Sequence, residues 1–221
     1  DAAYGVPAFQ QQVNLDTGTY GLAVHPVTGA AYTTTKFGIG ISKVTVAEAP
    51  LTSTGEAPTD PLEVTAERTL VVSNSTAGRD FGRGLAFNKD GTLAFAAYRT
   101  PPSLLVVDTS VDAAGQEADR LLDMIPLPDG PASVAVGNTG PNGRELVYIT
   151  LFNADKVAVV DPALADVVAL IDVGNAPFDL AIVERDDLKR AYVTLFEENA
   201  IGVIELDSTS SFYHQEIARI P

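Results

Sequence analysis

The segment AYVTLFEENAIGVIELD (191–207) nearly repeats VYITLFNADKVAVVD (147–161). The residues leading into each copy match as well, Pro131-Ala132-Ser133-Val134-Ala135-Val136 against Pro177-Phe178-Asp179-Leu180-Ala181-Ile182. Ser133 to Asp179 spans 46 residues, Gly84-Leu85-Ala86-Phe87 starts 49 before Ser133, and Gly21-Leu22-Ala23-Val24 a further 63 upstream. A period of about 40–50 residues marks a repeat architecture, in which one unit cannot bury its apolar face alone and stacks on its neighbours. Within each unit the apolar runs are too short for helices and are punctuated by Gly, Asp and Asn. The pattern predicts an all-β chain: a β-propeller built of four-stranded antiparallel blades, about four of them present.

Unit by unit, the strands are expected at Leu22–His25, Ala30–Thr35, Ile41–Val46 and Arg68–Ser73; at Leu85–Asn88, Leu93–Tyr98, Leu104–Asp108 and Arg120–Leu127; at Ser133–Val136, Leu146–Leu151, Lys156–Asp161 and Val167–Val173; and at Leu180–Val183, Arg190–Leu195, Ile201–Leu206 and Tyr213–Ile220. The blades then run approximately 20–73, 83–127, 131–173 and 177–220 within a single domain, 1–221. Runs such as Val157-Ala158-Val159-Val160 are apolar on both faces, as a sheet packed on each side requires. Val27-Thr28-Gly29 and Lys89-Asp90-Gly91 supply hairpin turns. Asp108, Asp161 and Asp207 recur at the end of the third strand, where an Asp caps a turn. The long connections Ala47–Glu67 and Thr109–Asp119 are expected to project from the rim. Phe9–Leu15 reads as one more outer strand, of a preceding or closing blade, so the ring is expected to be incomplete.

The formal charge of −15 excludes a role that must neutralise phosphates, so no nucleic acid is expected. The absence of cysteine excludes disulfides, thiolate catalysis and Cys-ligated metals. Charges interrupt the longest apolar stretch, Lys156–Val173, and no membrane span is expected. The chain opens at Asp1 without a Met or a signal-like segment and reads as a processed form or a fragment.

Tyr192-Val193-Thr194 carries the tripeptide that names the YVTN family of β-propeller repeats, and Tyr148-Ile149-Thr150 is its near-copy. The chain resembles that family well over 130–207 and more loosely over 20–110, where Phe95-Ala96-Ala97-Tyr98 and Tyr32-Thr33-Thr34 depart from the tripeptide. The resemblance implies a periplasmic, cell-surface or secreted protein and a larger ring of about seven blades. Similar propellers include binding and scaffold modules, lactonases, and subunits of quinone- or haem-dependent oxidoreductases.

In a propeller the loops from fourth to first strand and from second to third strand converge around the central channel, the usual ligand site of such closed architectures. Those loops gather Tyr20, Arg83, Phe178 and Asp179 from one set, and Lys36, Arg99, Phe152, Asn153, Phe196 and Glu197 from the other. Arg79, Asp80 and Arg83 form a basic-edged cluster that could hold an anion; the plainer alternative is ordinary ion pairs between blades. Asp108, Ser110, Asp112, Glu117 and Asp119 place oxygens at the alternating positions of a calcium loop, yet Ala113 stands where the loop glycine belongs, so an exposed acidic turn is the alternative. His25 in a turn and His214 in the last outer strand lack a second metal ligand or a serine nucleophile nearby in sequence. Asn74-Ser75-Thr76 is a glycosylation sequon.

These readings predict an extracytoplasmic binding or scaffold module without catalysis of its own. No cofactor is expected beyond calcium at that one loop, and the partner is another protein or further blades of the same polypeptide. The alternative is a lactonase or quinoprotein/haem-type enzyme with its site at the channel mouth.

Overall fold

The structure, a computed structural model, describes residues 13, 15, 18–48, 62–72 and 82–221. These form four four-stranded antiparallel sheets, each running in chain order from inner to outer strand. The first blade is β1 (Thr19–Val24), β2 (Ala31–Thr35), β3 (Gly40–Glu48) and β4 (Leu62–Val71), and the second is β5 (Gly82–Phe87), β6 (Leu93–Arg99), β7 (Pro102–Asp108) and β8 (Arg120–Pro126). The third is β9 (Pro131–Gly137), β10 (Leu146–Leu151), β11 (Lys156–Asp161) and β12 (Asp166–Asp172), and the fourth is β13 (Pro177–Arg185), β14 (Leu188–Leu195), β15 (Ala200–Glu205) and β16 (Glu216–Ile220). Among the described residues the only helical element is the short 3-10 turn Pro141–Gly143, and no helix is long and apolar enough to cross a membrane.

The inner strands β1, β5, β9 and β13 lie side by side in that order, so the blades radiate from a common axis. Three apolar cores fill the three seams. Tyr32 and Ile41 meet Leu85, Ala96 and Leu105; Phe95, Leu104 and Val106 meet Val147, Ile149 and Leu151; Tyr148, Val157 and Val159 meet Leu180, Val193 and Leu195. The second and third blades thus feed alternate residues of their middle strands into two seams, which is why β10 is buried along its whole length. Burying each such aliphatic side chain contributes about 1.5–3 kcal/mol. Among the described residues, no core of this kind joins the fourth blade to the first. The four blades form an open arc of a propeller.

All four inner strands break register at the same place, between Thr19 and Leu22, Gly82 and Leu85, Pro131 and Val134, and Pro177 and Leu180. The bulge frees a backbone N–H, and a threonine from the neighbouring second strand takes it up. Gly21 N–H donates to Thr34 Oγ1 (2.9 Å), Ser133 N–H to Thr150 Oγ1 (2.8 Å) and Asp179 N–H to Thr194 Oγ1 (2.9 Å). The same hydroxyls reach across a seam to the next inner strand, Thr34 to the Arg83 carbonyl (2.8 Å) and Thr150 to the Phe178 carbonyl (3.0 Å). In the second blade Ala97 occupies this position, and Arg99 Nε donates to the Pro131 carbonyl instead (2.9 Å). The threonine of the Tyr-x-Thr motif is therefore a seam fastener.

Several expectations need correction. The last outer strand starts at Glu216, not Tyr213, because Asp207 Oδ1 captures the Thr209 N–H and hydroxyl and holds Asp207–His214 in turns. His214 accordingly sits in a turn at φ 59 rather than in a strand. At the two ends of Ala47–Glu67, residues 47–48 and 62–67 are strand rather than loop and belong to β3 and β4, with the Thr45 and Thr65 hydroxyls paired across them at 2.5 Å. Thr109–Asp119 does not project either, since it folds back onto the first blade. Asp108 and Asp161 cap turns as expected, accepting from Ser110 and Ala163 N–H. The strand expected at Phe9–Leu15, Val13 and Leu15 apart, lies outside the described residues, as do residues 49–61, Asn74-Ser75-Thr76, Arg79 and Asp80.

Candidate ligand site at the channel mouth

Equivalent triplets from the four inner strands line a cavity of about 410 Å³ on the axis: Tyr20-Gly21-Leu22, Arg83-Gly84-Leu85, Ala132-Ser133-Val134 and Phe178-Asp179-Leu180. In the first two triplets the middle residue faces the next inner strand at close range. A Cβ on Gly21 would lie 2.1 Å from the Arg83 carbonyl oxygen, and one on Gly84 2.6 Å from Val134 N, so only glycine fits at either position. Further along the arc there is room for side chains, and Ser133 Oγ donates to Asp179 Oδ1 at 2.5 Å. Among the described residues Asp179 is the only carboxylate lining this cavity, and the Leu180 N–H also donates to it.

Aromatic rings ring the cavity. Phe152 and Phe196, from turns after the second strands, and Phe178, at the start of an inner strand, form a triangle with all three centroid separations 6.2 Å. Phe178 and Phe196 are exposed. Arg99 lies 5.5 Å from the Phe152 centroid and Arg83 4.2 Å from that of Tyr20, both within cation–π range. Burial lowers the Arg99 pKa, and the neighbouring Arg83 charge adds to this. A guanidinium remains charged through any ordinary pH, so two cations face one mouth of a chain whose net charge is −15.

Of the residues singled out in the sequence, the structure brings Tyr20, Arg83, Phe178 and Asp179 to the cavity, and Arg99, Phe152 and Phe196 to its rim. Lys36 instead stacks over Phe37 (5.3 Å), Asn153 bonds Asp129 (3.0 Å), and Glu197 is exposed in its turn. Gly21, Gly84 and Ser133, which shape the axis, escaped sequence reasoning. Their alignment under Asp179 in the repeat is the signal that would have found them.

The acidic loop 108–119 is dispersed rather than convergent. Asp108 pairs with Arg120 (2.8 Å), and Asp112 Oδ1 accepts from Ala114 and Gln116 N–H. Glu117 and Asp119 sit on the Lys43 ammonium at 3.3 and 2.9 Å, and Tyr32 donates its hydroxyl to Asp119 (2.7 Å). Burial would lower the Lys43 pKa, but Asp119, Glu67 and Glu117 more than offset it and raise it. Burial first, and then Asp119, raises that of Tyr32. Among the described residues no three His, Cys, Asp or Glu side chains gather as a metal site would need.

Both histidines are structural in their contacts. His25 is buried, its Nδ1 accepting from Val27 and Thr28 N–H and its Nε2 bonded to the Thr109 carbonyl (3.1 Å). His214 Nε2 bonds the Tyr148 hydroxyl (3.1 Å), which also bonds Thr139, and its ring stacks on Tyr213 at 3.7 Å.

No protein-family model and no curated protein matches the sequence. Solved structures do match in fold. A functionally unknown protein from Desulfotomaculum acetoxidans superposes with a TM-score of 0.62 at 14% identity, over 94% of this chain and 57% of that one. A putative 6-phosphogluconolactonase from Bacteroides uniformis gives 0.59 at 18%, over 90% and 56%. An auxiliary nutrient binding protein from Bacteroides ovatus gives 0.56 at 15%, over 83% and 47%. At such identities the likeness establishes the fold, that of the β-propellers. The chain spans little more than half the length of these structures, or less.

Proposed function

We propose that the chain is an extracytoplasmic binding module of the YVTN-repeat type, part of a ring of about seven blades, that captures a flat group bearing a carboxylate at its channel mouth. The observation that carries this reading is the phenylalanine triangle, with Phe178 and Phe196 exposed, the Arg99 guanidinium over Phe152 and the Arg83 guanidinium over Tyr20. Exposed rings offer stacking area at little entropic cost, and paired guanidiniums select an anion. Asp179, the one carboxylate lining the cavity among the described residues, already accepts from Ser133 and Leu180, which favours binding over proton transfer. The resident partner on this reading is a ligand or an acidic aromatic segment of another protein, with no metal or organic cofactor.

The competing reading, an enzyme or enzyme subunit of lactonase or quinoprotein/haem type, uses the same cavity. Calorimetric titration with naphthalene-2-carboxylate tests the proposal. Wild type should bind, and Arg99→Ala and Phe178→Ala should each weaken binding by about tenfold, the loss of one cation–π or stacking contact. Wild-type binding that survives both substitutions unchanged, or no binding at all, would refute it.

A further inference from the structure

Both guanidiniums at the mouth belong to the second blade, which has a neighbour packed on either side, so their setting is fixed within the arc. Gly82 of β5 pairs with Tyr98 of β6, and Arg83 and Arg99 each follow one member of that pair. They hold diagonal positions on adjacent strands, where long side chains come within reach of each other. Each then leans toward a different neighbour. Arg83 lies over Tyr20 of the first blade at 4.2 Å, and Arg99 over Phe152 of the third at 5.5 Å. Both are half-buried.

Such a placement is costly by itself. Burial lowers the Arg99 pKa and the Arg83 charge lowers it further, the mark of two cations held in each other's field. The protein supplies Arg99 with little relief. Its Nε donates to the Pro131 carbonyl, and among the described residues nothing bonds Nη1 or Nη2 and no carboxylate comes within ion-pairing distance. Asp129, the acidic group whose field does reach Arg99, is taken by Asn153 Nδ2 at 3.0 Å. Asp179 has Ser133 and Leu180 both on its Oδ1. The edge of Arg99 that matches a carboxylate, its two-nitrogen fork, is left open beside a second cation. A single carboxylate would satisfy one guanidinium and leave the other uncompensated.

We propose that the ligand captured here is an aromatic dicarboxylate, an inference that rests on the binding reading given above and names its ligand class. One carboxylate takes the Nη1–Nη2 edge of Arg99, the second takes Arg83, and the ring lies against the phenylalanine triangle. The dianion matches the charge of the pair, which a monocarboxylate does not. The field of the whole chain, at −15, works against a dianion at long range, so any preference for one has to come from these local contacts.

Calorimetric titration of the 221-residue chain at about pH 8, where carboxylates are ionised, tests this. It compares benzylsuccinate with 3-phenylpropanoate, which shares the ring and the first carboxylate and lacks the second. Benzylsuccinate should bind at least about tenfold more tightly, the worth of one further charge-assisted hydrogen-bonded pair. Arg83→Gln and Arg99→Gln should each bring the two ligands within about twofold of each other, whereas Phe196→Ser should weaken both and keep the ratio. Arg99 also fastens the second seam, so Arg83→Gln carries the test should Arg99→Gln fail to fold. Equal affinities in wild type, or a ratio that survives Arg83→Gln, overturn the proposal, while naphthalene-2-carboxylate binding leaves the binding reading standing. Failure of naphthalene-2-carboxylate to bind as well refutes both.

Discussion

Replacing Thr150 by valine and, separately, Thr194 by valine puts the seam fastener to a direct test. The two residues are equivalent in the repeat, and valine keeps the shape while removing the hydroxyl. At Thr150 the change strands two groups inside a formed seam, the Ser133 N–H and the Phe178 carbonyl. Leaving a buried polar group unpaired costs about 1–3 kcal/mol. Both groups here are only partly buried, so about 1–2 kcal/mol each is appropriate. The new methyl returns about 0.8 kcal/mol, for a net loss of about 1–3 kcal/mol. In a domain of this size that lowers Tm by about 3–10 °C. At Thr194 the same groups face water, and the expected cost is under about 0.5 kcal/mol. Thermal and urea unfolding followed by circular dichroism will compare the two. Equal costs at the two sites would mean that the threonines act within their own blades and do not fasten seams.

Leu195→Ala should cost about 2–5 kcal/mol, because it opens a cavity in the third seam; Phe196→Ser, one residue on and exposed, should leave Tm within about 2 °C while weakening naphthoate binding. Stability should also depend on pH through His214, whose pKa burial pulls down from 6.5 to about 4. The folded chain keeps this imidazole neutral while the unfolded chain protonates it, so its contribution is complete above about 6.5 and is lost progressively as pH falls toward 4. Unfolding curves of His214→Gln should be flatter than wild type across that window, and parallel curves would show that His214 does not carry the titration.

The near-copy of 147–161 at 191–207 was enough to establish the repeat, the four strands of each unit and the capping role of Asp108, Asp161 and Asp207. All of these depend on period, alternation and local turn chemistry, which act between residues close in the chain. The same local reasoning failed where a distant partner decided the outcome. Thr109–Asp119 looks like a projecting acidic loop until Lys43, buried in another blade, draws Glu117 and Asp119 onto it. Tyr213 and His214 look like strand residues, yet the Asp207 cap starts a run of turns through 214, and there His214 bonds the distant Tyr148 while Tyr213 stacks on His214. At the channel mouth the loops were legible but their selection was not. Arg99, Phe152 and Phe196 converge, whereas Lys36 and Asn153 find partners of their own. The sequence by itself determined the blade, because a blade is made of neighbours along the chain. Only the tertiary structure decided the seams and the mouth, because each is made where side chains from different blades meet and compete for burial and hydrogen bonds.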